Sequence, residues 1–193
     1  MKPSLLLPVL CFSILTNAQT ETSIVKHYQD INKQVQESKQ HGMEGTLYCN
    51  EWVTNKNSMS WPAVGIYNET IQFWYNDDPN HISPLERDPK TVLEKVTLTR
   101  RAAADFISNE EYLYMSGKPV FFYSNVTEEG KQWETRMYFN TKGMFKSSVK
   151  IDGKELTAKE LVAPEYSDSR PQPLVVLKHG RKYQDLFVKQ MVF

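Results

Sequence analysis

The first clear pattern along the chain has a helical period. Ile24, Tyr28, Ile31 and Val35 recur at spacings of four, three and four, while Lys26, Gln29, Asp30, Asn32, Lys33, Gln36 and Glu37 fall between them. That spacing puts four apolar side chains on one face and predicts an amphipathic helix. Thr22 or Ser23 suits its start and Gly42 its stop. A single helix cannot bury its stripe alone, so the pattern calls for a sheet beneath it.

Beyond Gly42 the period shortens to two. Thr46–Thr54 is rich in strand formers, and 64–67 and Thr70–Tyr75 read as strands flanking a short Asn68-Glu69 turn. Residues 76–89, with three prolines, read as a loop, and Val92–Thr99 alternates again. Segment 101–106 fits either a strand or a helical turn. From 110 to 151 the chain predicts a four-stranded meander, with turns at Ser116-Gly117-Lys118, Glu128–Lys131 and Asn140–Gly143, closed by Asp152-Gly153. Turns at about ten-residue intervals favour antiparallel pairing over βαβ units. Thr157–Ala163 suits a short helix ending at Pro164, and 165–173 a polar connection. Leu174–Leu177 and 183–193 read as a final hairpin turning at His179-Gly180. The expected fold class is therefore α+β: one N-terminal helix packed on a curved, mainly antiparallel β-sheet.

The first 18 residues, MKPSLLLPVLCFSILTNA, fit none of this and read as an address. Lys2 supplies a positive start, and residues 5–15 form an apolar run too short to span a bilayer. Thr16-Asn17-Ala18 suits signal cleavage near Ala18, and the bulky residues before Cys11 argue against a lipoprotein. The expected organisation is a signal peptide over 1–18 and one α+β domain over 19–193. The mature chain would be exported, periplasmic or extracellular, with no transmembrane segment.

Composition then narrows the function. The chain has 193 residues, with 23 basic and 23 acidic, and is 40% hydrophobic. Charge balance excludes a dedicated nucleic-acid binder, and the hydrophobic fraction excludes a disordered chain. Removing the signal removes Lys2 and Cys11, leaving Cys49 as the only cysteine. No internal disulfide is then possible, and a buried structural thiol is the expected role.

Candidate chemistry is sparse. Asp77-Asp78-Pro79-Asn80-His81 lacks the alternating ligands and distant Glu of a calcium loop and reads as a solvated turn. His27, His41, His81 and His179 show no metal-ligand spacing, no GxSxG elbow or phosphate loop occurs, and no catalytic residue, metal or cofactor is assigned. Asn68-Glu69-Thr70 and Asn125-Val126-Thr127 match the N-glycosylation pattern and would mark surface loops. The aromatics carry more. Trp52, Trp61 and Trp74, with Phe73 and Tyr75, crowd the first half and can either fill the core or stack on a flat ligand or sugar ring. In Phe73-Trp74-Tyr75, neighbours must point to opposite faces. Arg136, two residues from Glu134, can grip a carboxylate or sulfate if it faces a concavity. Trp52, Trp61, Trp74 and Arg136 are the candidate ligand-binding residues.

The sequence around Asn17-Ala18-Gln19 looks like the signal ends of exported proteins in the Bacteroidetes group. Residues 60–67 (SWPAVGIY), Phe73-Trp74-Tyr75, Glu111–Tyr114, Gly117–Phe121 and Glu134–Phe139 resemble small secreted or periplasmic proteins of that group, to which no function is attached. The resemblance implies an envelope protein and transfers no catalytic residue. Three readings follow: a non-enzymatic binding module for a small molecule, glycan or envelope partner; a hydrolase with a site assembled across strands; and a structural or interaction protein of the envelope. The sequence favours the first. A binder predicts a concave apolar pocket, and an interaction protein an exposed apolar patch or strand edge.

Overall fold

A computed structural model describes residues 20–63, 65–76, 88–102, 105–167 and 170–191. Helix α1 (Glu21–His41) is capped by Thr20, two residues before Thr22: Thr20 and Ser23 exchange side-chain-to-backbone hydrogen bonds in a capping box. It ends at Gly42, whose φ of 57° favours glycine. Then come strands β1 (Tyr48–Thr54), β2 (Ser60–Trp61) and β3 (Gly65–Tyr75), the helical turn α2 (Pro89–Val92), and strands β4 (Leu93–Ala102), β5 (Phe106–Met115), β6 (Lys118–Glu128), β7 (Lys131–Asn140), β8 (Gly143–Ile151) and β9 (Lys154–Glu155). The chain closes with α3 (Ala158–Leu161), α4 (Pro164–Ser167) and α5 (Pro173–Met191).

Among the described residues these strands form one open antiparallel sheet, ordered β1-β3-β4-β5-β6-β7-β8-β9, with β2 also paired to β3. The meander expected over 110–151 is there, begun four residues earlier at Phe106. The Asn68-Glu69 turn is not: β3 runs unbroken, with Asn68 opposite Arg101 and Glu69 opposite Arg100. Both glycosylation patterns consequently lie in paired strands rather than loops, in β3 and β6. The 76–89 loop falls largely outside the described residues, Asp77–His81 among them.

Both faces of the sheet are apolar. On one, Trp74, Leu113, Phe121 and Tyr138 receive Ile24, Ile31 and Val35 of α1. The expected stripe is thus buried, except that Tyr28 is only partly so. On the other, Phe73, Val96, Leu98, Tyr112, Phe122, Met137 and Phe139 receive Val176, Tyr183 and Phe187 of α5. A register shift places Leu113 opposite Phe121 and Tyr114 opposite Pro119, so Val120 is an extra residue and joins Phe121 on the α1 side.

Helix α5 replaces the expected final hairpin. Val176, Gly180, Tyr183, Gln184 and Phe187 are buried at helical spacing, and the face they form fills the second side of the sheet. Gly180 is no turn residue. A Cβ there would meet Tyr112 and Pro119 at 3.2 Å, so the glycine lets the helix approach the sheet. His179 accordingly sits in the helix, edge-on to Tyr183. The Tyr114 hydroxyl donates to the Gly180 carbonyl at 2.7 Å, and Gln184 Nε2 donates to the Gly117 carbonyl at 2.9 Å.

Helix α1 is held by polar anchors as well as its stripe. The Tyr28 hydroxyl donates to Glu111 at 2.5 Å. Lys95, almost fully buried, pairs with Glu111 at 2.7 Å and donates to Asn32. Burial lowers the Lys95 pKa, and Glu111 works against that shift. His27 Nε2 lies 3.0 Å from the Tyr114 carbonyl and 3.3 Å from Glu94.

Two outcomes are expected. Phe187→Ala, at a side chain with no exposed surface, should lower unfolding free energy by about 3–5 kcal/mol in urea denaturation. His27 is the pH-sensitive contact. The hydrogen bond to Glu94 chiefly raises its pKa above the ordinary value, against the effect of burial. Its stabilisation is full below the unfolded pKa and fades as pH rises through the folded one. The melting-temperature gap between wild type and His27→Gln should therefore shrink between about pH 6 and about pH 8.

Candidate functional site

Three neighbouring strands set one row of polar side chains on the α5 face. Glu69 of β3 is opposite Arg100 of β4, which is opposite Ser108 of β5, and Glu110 follows two residues on. Arg100 grips both carboxylates, Glu69 through Nε and Glu110 through Nη1. Its Nη2 donates to the Tyr183 hydroxyl of α5 at 2.9 Å. The Tyr112 hydroxyl donates to Glu110 at 3.2 Å, and that of Tyr67 to Glu69 at 3.3 Å.

The three charged side chains are 14–22% exposed, so water reaches them only partly. Burial alone would lower the pKa of Arg100, but Glu110 and Glu69 outweigh it and hold the guanidinium above its usual value. Burial pushes Tyr183 up to about 12 and Tyr112 higher still, so both remain protonated donors at neutral pH. The cluster holds one cation and two anions. It suits a ligand that presents hydroxyl donors, and it disfavours a further anion.

Aromatic rings flank this row. Trp61 of β2 lies against Tyr67, with ring centroids 5.5 Å apart, and Trp52 of β1 meets Phe73 edge-on at 5.9 Å. Trp52 pairs with Ile71, four residues along β3 from Tyr67. At strand rise the two aromatic ends are about 13 Å apart, with Glu69 between them. Trp52 and Trp61 are each more than two-fifths exposed, and exposed Tyr48, four residues before Trp52 on β1, extends the apolar margin on the same face.

The four expected ligand-binding residues do not converge. Trp52 and Trp61 stand on the α5 side at the β1–β2 margin. Trp74 and Arg136 stand on the α1 side. Trp74 is buried in the α1 core, its indole N–H has no hydrogen-bond partner, and Lys39 lies over its ring at 5.3 Å. Arg136 pairs with Glu134 at 3.0 Å and lies over Tyr123. Sequence reasoning passed over Glu69, Glu110 and Tyr183, which it had assigned to a turn, a strand start and a hairpin. Strand alternation separates Arg100 from Arg101, but only the register brings Arg100 to both acids.

Cys49 lies exposed on edge strand β1, opposite Trp74, rather than in the core. The surrounding protein and the Glu51 carboxylate push its thiol up to about 11, which disfavours a thiolate nucleophile. Among the described residues, no group of three or more His, Cys, Asp or Glu side chains is placed to hold a metal ion.

The fold and this strip define an open antiparallel sheet, clamped by a helix on each face, with an aromatic, acid-lined margin. Compared with protein-family models, curated proteins and solved structures, the chain matches none.

Arg100→Met should be costly, because it leaves two partly buried carboxylates without their counter-charge. A loss of about 3 kcal/mol is expected in urea denaturation. Adding Glu69→Gln and Glu110→Gln should recover most of it, which a simple packing defect would not allow.

Proposed function

We propose that the chain is an exported, non-enzymatic binding module of the cell envelope, and that the Trp52–Trp61 strip is its recognition surface for a glycan. One observation carries the reading: two half-exposed indoles flank a partly buried Glu69–Arg100–Glu110 cluster on one face of the sheet margin. Indole faces stack on the apolar faces of sugar rings, and carboxylates accept from ring hydroxyls. Because the carboxylates and guanidinium are already fixed by one another and by Tyr183, little ordering is needed on binding. The apolar run at 5–15 and the Thr16-Asn17-Ala18 sequence support export. No helix of the described residues is long and apolar enough to cross a membrane.

A second reading draws on β1 itself. Among the described residues this seven-residue edge strand leaves one side of its backbone unpaired, and Tyr48, Trp52 and Val53 are exposed along it. Such an edge can add a strand from an envelope protein.

Titration of the purified protein with a panel of neutral and acidic oligosaccharides, followed by tryptophan fluorescence, separates the two. A neutral glycan should shift the emission. Trp52→Ala and Trp61→Ala should each weaken binding at least tenfold, and Trp74→Phe should leave it unchanged. Absence of any glycan response, with capture of an extended peptide that Val53→Pro abolishes, would replace the first reading by the second.

A further inference from the structure

On the face of the sheet opposite that strip, a cleft of about 240 Å³ opens between the first two turns of α1 and strands β6 and β7. Ile24, Val25 and Tyr28 line it from the helix, and Phe121 and Tyr138 from the sheet. Ile24 and Phe121 are buried and have no side-chain group to hydrogen-bond, so the inner end accepts only an apolar body. The outer end is polar, formed by Gln29 and Arg136.

Arg136 is the one cation lining the cleft among the described residues. Its Nη2 pairs with Glu134 at 3.0 Å, and its guanidinium plane lies 5.6 Å from the Tyr123 ring centroid. The side chain is still 43% exposed. A guanidinium offers five N–H donors, so a single contact to Glu134 leaves capacity for a ligand. Beside it, Lys146 lies 6.0 Å from the Tyr138 ring and pairs with Glu21 at 2.7 Å. Glu134 and Glu21 are therefore each matched by a cation, as is Glu111 behind the Tyr28 hydroxyl by Lys95.

We propose that this cleft binds a small monocarboxylate with a short apolar tail. The carboxylate lies on the Arg136 fork, and the tail lies between Val25, Phe121 and Tyr138. Three features set that class. The guanidinium fork matches the planar geometry of a carboxylate. Glu134 beside it disfavours a dianion such as a phosphate monoester. The volume is below the roughly 300–1,000 Å³ typical of drug-sized ligands, which limits the tail to about the length of an octanoate chain or one ring. The proposal shares no residue with the Trp52–Trp61 strip and stands or falls without it.

Octanoate is the probe, titrated into the purified protein by calorimetry and by NMR of the Ile24 and Val25 methyl groups. Saturable binding with shifts confined to those methyls and their neighbours is expected. Octanol, which lacks the charge, and acetate, which lacks the tail, should each bind at least tenfold more weakly. Arg136→Gln should weaken octanoate at least tenfold, with Arg136→Lys between it and wild type. Val25→Phe, which fills the cleft from a half-buried position on α1, should do the same while the protein keeps its folded circular dichroism spectrum. The proposal is overturned if octanoate fails to bind, if Arg136→Gln and Val25→Phe both bind it like wild type, or if octanol binds as tightly as octanoate. Loss of octanoate binding in Trp61→Ala would also overturn it, by moving the ligand to the other face.

Discussion

A broad sheet whose strands are apolar on both sides cannot rest against one helix, and this constraint shapes the whole molecule. Phe73 and Trp74, Tyr112 and Leu113, Phe122 and Phe121, Phe139 and Tyr138 are neighbours in sequence that point to opposite faces. Water must be kept from both. Helix α1 covers one face and α5 the other, so two helices far apart in sequence do equivalent work. Strands β3 to β7 form the shared middle layer.

Each cover is fixed in the same manner: an apolar stripe gives most of the free energy, and a buried polar group fixes where the stripe lands. On the α1 side Lys95, Glu111, Tyr28 and Asn32 form that group. On the α5 side Arg100, Glu69, Glu110 and Tyr183 form it. Apolar contact is tolerant of sliding, whereas a desolvated charge is satisfied in one position only. The α5 cluster is also the one beside the exposed indoles, so the group that positions the helix is the same one that gives the sheet margin its polar character.

Much of this was legible in the sequence. The 4-3-4 spacing of Ile24, Tyr28, Ile31 and Val35 marked α1, and the turns near 117, 130 and 142 marked the meander, because both are local signals. Helix α5 was misread for a physical reason. Val175-Val176 are strand formers, and Gly180 beside His179 imitates a turn. The glycine is there to admit the ring of Tyr112, a neighbour 68 positions away that no local pattern reveals. The neighbouring rings at Phe121-Phe122 already implied that a second cover was needed. The Arg100 cluster was illegible in kind: its members come from β3, β4, β5 and α5, and only pairing register assembles them. The same holds for the division of the tryptophans, where alternation could separate Phe73 from Trp74 but could not say which helix each would face.

The placement of α5 after all the strands it covers has a consequence for the order of assembly. Hairpins β5–β6, β6–β7 and β7–β8 join near neighbours and can form as soon as their residues exist. Their second face stays wet until residues 173–191 arrive, since Phe187 and Tyr183 are supplied by nothing earlier. A ribosome-bound or truncated product would therefore carry a finished meander with Val96, Tyr112 and Phe122 open to solvent, a species prone to self-association. Arrival of α5, rather than formation of the strands, is the step that turns an adhesive intermediate into a non-sticky particle.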